Sequence, residues 1–222
     1  MASPQLKLYA HPFSSYCQKA LIALYENHTP FVFKELAIGD QAASDELGRL
    51  WPIKRFPVLV DGDKVVPEAT IIIERLDALY PGPVRFIPDD AEAALDVRFL
   101  DRFFDHYIHT PSQKIVFDAI REPNRRDAQG VEEARAMLEQ SYAWLDAHMA
   151  GREWVSGERF TLADCSAAPS LFYVDWVHKI DARFANVLAY RQRLNARPSF
   201  ARAIDEARPY RQNFPLGAPE RD

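Results

Sequence analysis

The chain has 222 residues, of which 48% are hydrophobic and 27% are charged, a composition typical of a folded globular protein. Its 27 basic and 32 acidic side chains give a net charge of -5 without any basic block, which argues against a nucleic-acid partner. Cys17 and Cys165 are far apart, the start does not resemble a signal peptide, and no apolar run approaches ~18 residues, so we expect a reduced, cytoplasmic protein with no membrane partner.

The first informative stretch changes its hydrophobic period in the middle of a polar turn. Residues 6–10 alternate between apolar and polar side chains, which predicts a strand, whereas residues 17–25 carry apolar side chains at helical spacing. Between them lies the turn of residues 11–15. A helix that begins after such a turn directs its first N–H groups and the positive end of its dipole towards the turn, which favours an anion site there.

Ser14 and Cys17 have the spacing of a C-x-x-C redox turn, with serine in the place of the nucleophilic cysteine. Because serine cannot form a disulfide, the spacing favours a site that holds a thiolate supplied by another molecule. The alternative is a plain serine helix cap with Cys17 buried and inert on the apolar face of the helix.

The next elements continue an α/β pattern. Residues 31–36 predict a second strand, residues 42–51 a weak helix, and the Asp61-Gly62 turn a hairpin of two short strands. Pro57 stands at the entry of this hairpin, either after a cis bond or as an ordinary trans proline. A helix over residues 71–80 completes the order β-α-β-α-β-β-α, which resembles the thioredoxin fold.

The second part of the chain has no strand signal. We predict a first domain at residues 1–82, a linker at 83–90, and an all-helical domain at 91–222. Its expected features are a long helix broken near Pro111, a helix through Leu138 and Met149, a helix opened by a Thr161/Asp164 capping box, and final helices at 186–196 and 198–207.

Four motifs in this order and at these spacings resemble those of cytosolic glutathione transferases, over nearly the whole chain. They are Leu8-Tyr9-Ala10 running into Ser14-Ser15, residues 51–59 (WPIKRFPVL), residues 68–72 (EATII) and residues 157–164 (GERFTLAD). The resemblance is to the serine-type members, similar to the zeta and tau classes. It implies a thioredoxin-like glutathione-binding domain followed by an all-helical electrophile-binding domain, assembled as a homodimer.

The resemblance also implies roles for individual residues. Ser14 is the expected catalytic residue, whose hydroxyl donates to the thiolate of glutathione, the co-substrate. Glutathione-binding residues are expected at Ser15, Lys54, Arg55, Phe56, Pro57, Glu68, Ala69 and Thr70. A small hydrophobic electrophile is expected to contact Phe13, His106, Tyr107, Thr110 and Phe117.

Several alternatives stay open at this stage. Ala69 replaces the serine that is usual in the family, and either Lys54 or Arg55 could meet the glycyl carboxylate of glutathione. Tyr9 is a minor catalytic candidate, and Ser15 is also a plausible first residue of the helix. We expect no metal site. The function could also be a glutathione-dependent isomerisation of the maleylacetoacetate type, a thiol reduction, or ligand binding without catalysis.

Overall fold

The computed structural model describes residues 6–222. Its single sheet has four strands in the order β2-β1-β3-β4, with β1 parallel to β2 and antiparallel to β3, and β3 antiparallel to β4. The strands are β1 Leu6–Ala10, β2 Phe31–Glu35, β3 Val58–Asp61 and β4 Lys64–Pro67. The first helices are α1 Ser15–Glu26, α2 Gln41–Leu50 and α3 Ala69–Leu79. The predicted α/β order of this part is confirmed.

Successive side chains along a strand point to opposite faces of the sheet, and helices cover both of these faces. Leu8 and Leu59 belong to the large core that includes α1 and α3. Their neighbours Tyr9 and Val58 face the other way and pack with Leu47 of α2. The carboxyl end of β1, where the turn into α1 begins, is therefore held between two layers of helices.

The remainder of the chain is helical, as predicted. Its helices are α4 Ala91–Phe103, α5 Thr110–Ala119, α6 Ala128–His148, α7 Leu162–Val177, α8 Ala185–Ala196 and α9 Pro198–Ala207. Helix α7 is buried along almost its whole length and packs against α1, α4 and α8. The core therefore runs without interruption from the sheet into the helices, and the boundaries at 82 and 91 stay a prediction.

The predicted break near Pro111 is wrong. A π-helical segment, Phe104–His109, joins α4 to α5, so the helical path is continuous from Ala91 to Ala119. Pro111 has no N–H for the Tyr107 carbonyl four residues earlier, and the Ser141 hydroxyl lies 3.0 Å from that carbonyl and 2.8 Å from the Met137 carbonyl, so the two carbonyls share its one proton. A side chain from α6 thus replaces part of the missing backbone bond.

The capping box that starts α7 is confirmed. Asp164 Oδ2 accepts the Thr161 N–H at 2.8 Å, and Oδ1 accepts from the Val155 N–H at 3.1 Å and the Tyr190 hydroxyl at 2.6 Å. The buried carboxylate thereby ties the loop before α7 to α8. In residues 6–222, no helix combines the length and apolar character needed to cross a bilayer.

Candidate active site

The turn from β1 into α1 places Ser14 at the N-cap of the helix. Its backbone is extended (φ -95°, ψ 122°), and its N–H donates to the His11 carbonyl at 3.0 Å. Ser14 Oγ accepts the Cys17 N–H at 3.4 Å. This cap uses a lone pair of the oxygen, so the hydroxyl proton stays available for a ligand atom at the positive end of α1.

Two other backbone features converge on the same region. The Phe56-Pro57 peptide bond is cis and leads directly into β3. Glu68 has a φ of 73° at the N-cap of α3 and makes no side-chain cap hydrogen bond, and Ala69 after it is buried. The N–H groups of the first turn of α3 are therefore not capped by the side chain that precedes them.

One cleft of about 480 Å³ brings most of the predicted site residues together, and we call it the Ser14 cleft. The predicted residues that line it are Ser14, Lys54, Arg55, Phe56, Pro57, Glu68, Ala69, His106, Thr110 and Phe117. Tyr16, Trp51, Arg102, Asp105 and Gln113 also line it and were not predicted as site residues. The cleft thus lies between the sheet part and the helical path from α4 to α5.

A second cavity of about 510 Å³, which we call the Phe13 pocket, shares Ser14, Lys54 and Phe56 with the cleft. Its other walls come from the turn after β1, from residues 36–47 and from Asn213 near the C-terminal end. Ser14 therefore stands where two cavities meet. Such a junction can hold one molecule on each side of a single hydroxyl.

Three predicted contact residues lie elsewhere. Ser15 Oγ is 2.9 Å from Nε2 of the buried His109. The Thr70 hydroxyl donates to Asp101 Oδ2 at 2.9 Å, inside a buried ion network. Tyr107 is 45% exposed and lines neither cavity. Phe13 lines the second cavity and not the cleft, so the predicted electrophile contacts fall on two sides of Ser14.

Tyr9 is a weak candidate for catalysis in this geometry. Its hydroxyl donates to Glu46 Oε1 at 2.7 Å, and it lines neither cavity. Burial and this carboxylate raise the pKa of Tyr9 to about 12. Burial likewise raises the pKa of Cys17 to about 12, against smaller opposing effects of Ser14 and the His11 backbone. Neither group is prepared to ionise near neutral pH.

A buried ion network connects α1 to α4 behind the cleft. The Lys19 ammonium lies 2.6 Å from Asp101 Oδ1 and 3.0 Å from Asp105 Oδ2, and it donates to Thr70 Oγ1 at 3.0 Å. Burial alone would raise the pKa of Asp101, but Lys19 and Arg102 hold it below the usual value. Arg102 also reaches Asp105 at 2.7 Å, and its half-exposed side chain links the network to the cleft.

His109 is held neutral beneath the cleft. Burial, and then the charge of Lys19, lower its pKa to about 4. The ring also meets the Tyr16 ring edge-on at 4.6 Å between centroids. Among residues 6–222, no group of three or more histidine, cysteine or carboxylate side chains is arranged to hold a metal ion.

The unpredicted cleft residues had one usable signal in the sequence. Arg102 and Asp105 of the cleft, together with Asp101 behind it, stand among the large apolar side chains of Phe99, Leu100, Phe103 and Phe104, where a charge is expensive to bury without partners. Their partner Lys19 lies more than eighty positions earlier, so only the tertiary structure identifies the pairing.

Comparison with known proteins places the chain in a family. Residues 8–84 match the model of the glutathione S-transferase N-terminal domain and residues 128–193 that of the C-terminal domain, together more than half of the chain. A probable maleylacetoacetate isomerase of Vibrio cholerae is 28% identical, over 92% of this chain and 97% of its own length. Glutathione S-transferase 3 of Zea mays is 29% identical, over 90% and 93%.

A solved structure has the same fold. It is a glutathione S-transferase of Methylobacterium radiotolerans in complex with glutathione sulfonate, with a TM-score of 0.79 and 28% identity over 90% of this chain and 94% of its own. The α/β sheet part, the helical part and both domain models agree on one assignment. The chain therefore belongs to the glutathione S-transferase family.

Proposed function

We propose that the protein is a glutathione transferase that holds glutathione in the Ser14 cleft and directs its thiolate at a small hydrophobic electrophile. The observation that carries the proposal is the convergence of the Ser14 hydroxyl, the cis Phe56-Pro57 corner and the N-terminus of α3 in a single cleft. These elements offer a donor for a thiolate, a backbone edge for the middle of a peptide, and unpaired N–H groups for a carboxylate.

The available hydrogen bond and dipole are strong enough for this role. A free thiol with a pKa of ~8.5 is only a few per cent ionised at pH 7, and lowering the pKa by ~2 units requires about 2.7 kcal/mol. A hydrogen bond from the Ser14 hydroxyl to an ionised sulfur supplies roughly 1.5–3 kcal/mol, and the dipole of α1 about 0.3–1 kcal/mol. Ser14 acts as a donor and keeps its own proton.

The charges of the cleft match the two carboxylates of glutathione. Arg102 lines the Ser14 cleft together with Glu68 and Ala69. Its guanidinium donates to Oγ1 of the next residue along the chain, Thr70. Lys54 and Arg55 line the cleft from the segment before β3. In our proposal the γ-glutamyl carboxylate meets the α3 N-terminus and Arg102, which offsets the missing hydroxyl at Ala69. The glycyl carboxylate meets Lys54 or Arg55.

A second candidate function is a glutathione-dependent isomerisation of a maleyl-type double bond. The relative in Vibrio cholerae supports it, because its name describes a maleylacetoacetate isomerase and it aligns over nearly the whole chain. Thiol reduction has less support, since Cys17 and Cys165 are both buried and burial raises the pKa of each thiol. If the protein binds glutathione and catalyses neither reaction, we would conclude that it is a ligand-binding protein without catalytic activity.

Titration calorimetry with glutathione, followed by assays of an aryl halide and of a maleyl diketone, tests these functions. We expect saturable glutathione binding and conjugation of the aryl halide. Faster conversion of the diketone would favour the isomerase, and binding without either reaction would favour a non-catalytic protein. Failure to bind glutathione at millimolar concentration would refute all of these assignments.

The role of Arg102 has its own test, with Arg98 as the matched control. Arg98 lies one turn earlier on α4, where it pairs with Glu74 at 2.8 Å outside the cleft. Arg102→Met should weaken glutathione binding roughly tenfold, the effect of losing one charge-assisted hydrogen bond. It should not change the binding of 4-aminobutanoyl-Cys-Gly, which lacks the γ-glutamyl carboxylate. Equal losses for Arg98→Met, or for both ligands, would contradict the assignment.

We also propose that the protein is a homodimer, located in the cytoplasm where its two free cysteines stay reduced. Leu95 and Phe99 are more than half exposed on α4, and the Phe99 ring lies 6.1 Å from the 40% exposed Trp144 of α6. Ile71 on α3 is also 52% exposed. Light scattering should give twice the chain mass of 25.4 kDa, and Phe99→Asp should give the single-chain mass. A wild-type monomer at micromolar concentration would refute the dimer.

A further inference from the structure

The turn that carries Ser14 is shaped by hydrogen bonds within the turn and the start of α1. The Ser14 N–H donates to the His11 carbonyl at 3.0 Å, and the Ser14 carbonyl accepts the Gln18 N–H at 2.9 Å. The Phe13 N–H donates to Nδ1 of the His11 ring at 3.1 Å. Each of these bonds joins residues that are close in sequence. They therefore fix the shape of the turn and do not tie it to the helical part of the chain.

The side chain of Gln18 ties the turn to that part. It is fully buried, and its Nε2 donates at 3.0 Å both to the Pro12 carbonyl and to the hydroxyl oxygen of Tyr173 on α7. The Ala203 carbonyl of α9 lies 3.4 Å from the same nitrogen. A carbonyl can only accept a hydrogen bond, so the two carbonyls require the nitrogen of the amide, and not its oxygen, to face them. The two protons of one NH2 group thus connect the turn to α7.

The Pro12 carbonyl makes this connection important for the position of Ser14. Proline has no N–H, so the carbonyl is the only polar backbone group of this buried residue, and Gln18 satisfies it. A buried carbonyl without a donor is costly, so a turn that loses Gln18 should shift towards another donor or towards solvent. Phe13, the next residue, meets the Tyr173 ring edge-on at 5.5 Å between centroids. Both residues that lead into Ser14 are thus held from outside the turn, one by Gln18 and the other by Tyr173.

We propose that Gln18 is a positioning residue for Ser14, whose amide holds the turn against α7 so that the Ser14 hydroxyl stays within hydrogen-bonding distance of the glutathione sulfur. The inference rests on the proposed function, in which Ser14 donates to the thiolate. It goes further by naming a residue that does not line the Ser14 cleft and yet controls how strongly the thiolate is stabilised. A hydrogen bond weakens steeply when its distance or angle departs from the normal range, so a small shift of the turn should raise the pKa of the bound thiol.

Gln18→Met tests the proposal, because methionine has a similar size and no donor. The pKa of the bound thiol, measured from the ultraviolet absorbance of the thiolate against pH, should rise by about half a unit to one unit, which is roughly three- to tenfold less thiolate below the pKa. Turnover of an aryl halide near neutral pH should fall by the same factor and recover as pH rises. The affinity for S-methylglutathione, which has no ionisable thiol, should not change, because the residues that line the cleft are intact.

Two further variants separate positioning from stability. Tyr173→Phe keeps the Gln18 bond to Pro12 and the ring against Phe13, so it should lower Tm and leave the thiol pKa unchanged. Gln18→Asn keeps an amide that is one methylene too short for Pro12, so it should raise the thiol pKa as Gln18→Met does, and it carries the test if Gln18→Met does not fold.

The outcomes distinguish this inference from the proposed function. If the Gln18 variants lower Tm and leave the thiol pKa at the wild-type value, or if Tyr173→Phe raises it equally, Gln18 has only a structural role and the inference is wrong. If the wild-type protein does not bind glutathione, or binds it without lowering the pKa of its thiol, the proposed function is wrong and this inference falls with it.

Discussion

Replacing Ser14 with alanine distinguishes a serine that stabilises a thiolate from one that only caps a helix. The cap contact between Ser14 Oγ and the Cys17 N–H is long, at 3.4 Å, so its loss should cost near the lower end of ~0.5–2 kcal/mol of stability. The lost hydrogen bond to a thiolate is worth about 1.5–3 kcal/mol. Because one pKa unit corresponds to about 1.36 kcal/mol, the pKa of the bound thiol should rise by about one to two units.

The assay is a pH–rate profile with one aryl halide at saturating glutathione, with thermal unfolding in parallel. Ser14→Ala should lower turnover near neutral pH by roughly ten- to a hundredfold, and turnover should recover as pH rises because solution hydroxide then ionises the thiol. Ser14→Thr keeps a hydroxyl and an acceptable N-cap, so its profile should lie close to that of the wild type.

Ser15→Ala is the matched control, because Ser15 is adjacent in sequence and its hydroxyl points elsewhere. Its loss leaves Nε2 of the buried His109 unpaired, at a cost of about 1–3 kcal/mol. For a chain of this size each kcal/mol shifts Tm by roughly 2–4 °C. Ser15→Ala should therefore lower Tm and leave the thiol pKa unchanged. The reasoning is refuted if Ser14→Ala keeps the wild-type profile while Ser15→Ala or Tyr9→Phe shifts it.

Three further predictions concern binding and stability. Ala69→Ser should tighten glutathione binding, by at most the roughly 1.5–3 kcal/mol of a charge-assisted bond, and unchanged affinity in calorimetry would mean that Arg102 already satisfies that carboxylate. Lys19→Met leaves the two buried carboxylates of Asp101 and Asp105 with Arg102 as their one remaining cation within residues 6–222, and it should destabilise the fold by up to about 3–5 kcal/mol in denaturant unfolding. Adding Asp101→Asn should restore part of this loss, and no recovery would mean that the network is incidental. The folded pKa of His109, about 4, lies below its ordinary value of 6.5. The stability that the neutral, buried His109 ring contributes is therefore fully present above pH 6.5 and is lost as the pH falls towards 4. The free energy of unfolding should drop over that window by up to about 3 kcal/mol, and His109→Gln should flatten the drop; an unchanged slope would contradict the assignment.

Local patterns were sufficient to predict most of the strands and helices. The alternation in residues 6–10, the helical spacing after Ser14 and the Asp61-Gly62 turn each depend on neighbours within a few positions, and each element formed as expected. The Thr161/Asp164 capping box is local in the same sense. Pro111 was misjudged because a proline usually ends a helix, whereas Ser141, thirty positions later, supplies part of the compensating hydrogen bond.

The sequence by itself determined the order of strands and helices, the helix N-terminus at Ser14 and the resemblance to the family, because these depend on short-range periodicity and motif spacing. Only the tertiary structure decided what surrounds Ser14. It turned Ser15 towards His109 and brought Arg102 into the cleft through the ion network of Lys19. Side-chain direction and burial depend on contacts between segments far apart in the chain, and no local pattern records those contacts.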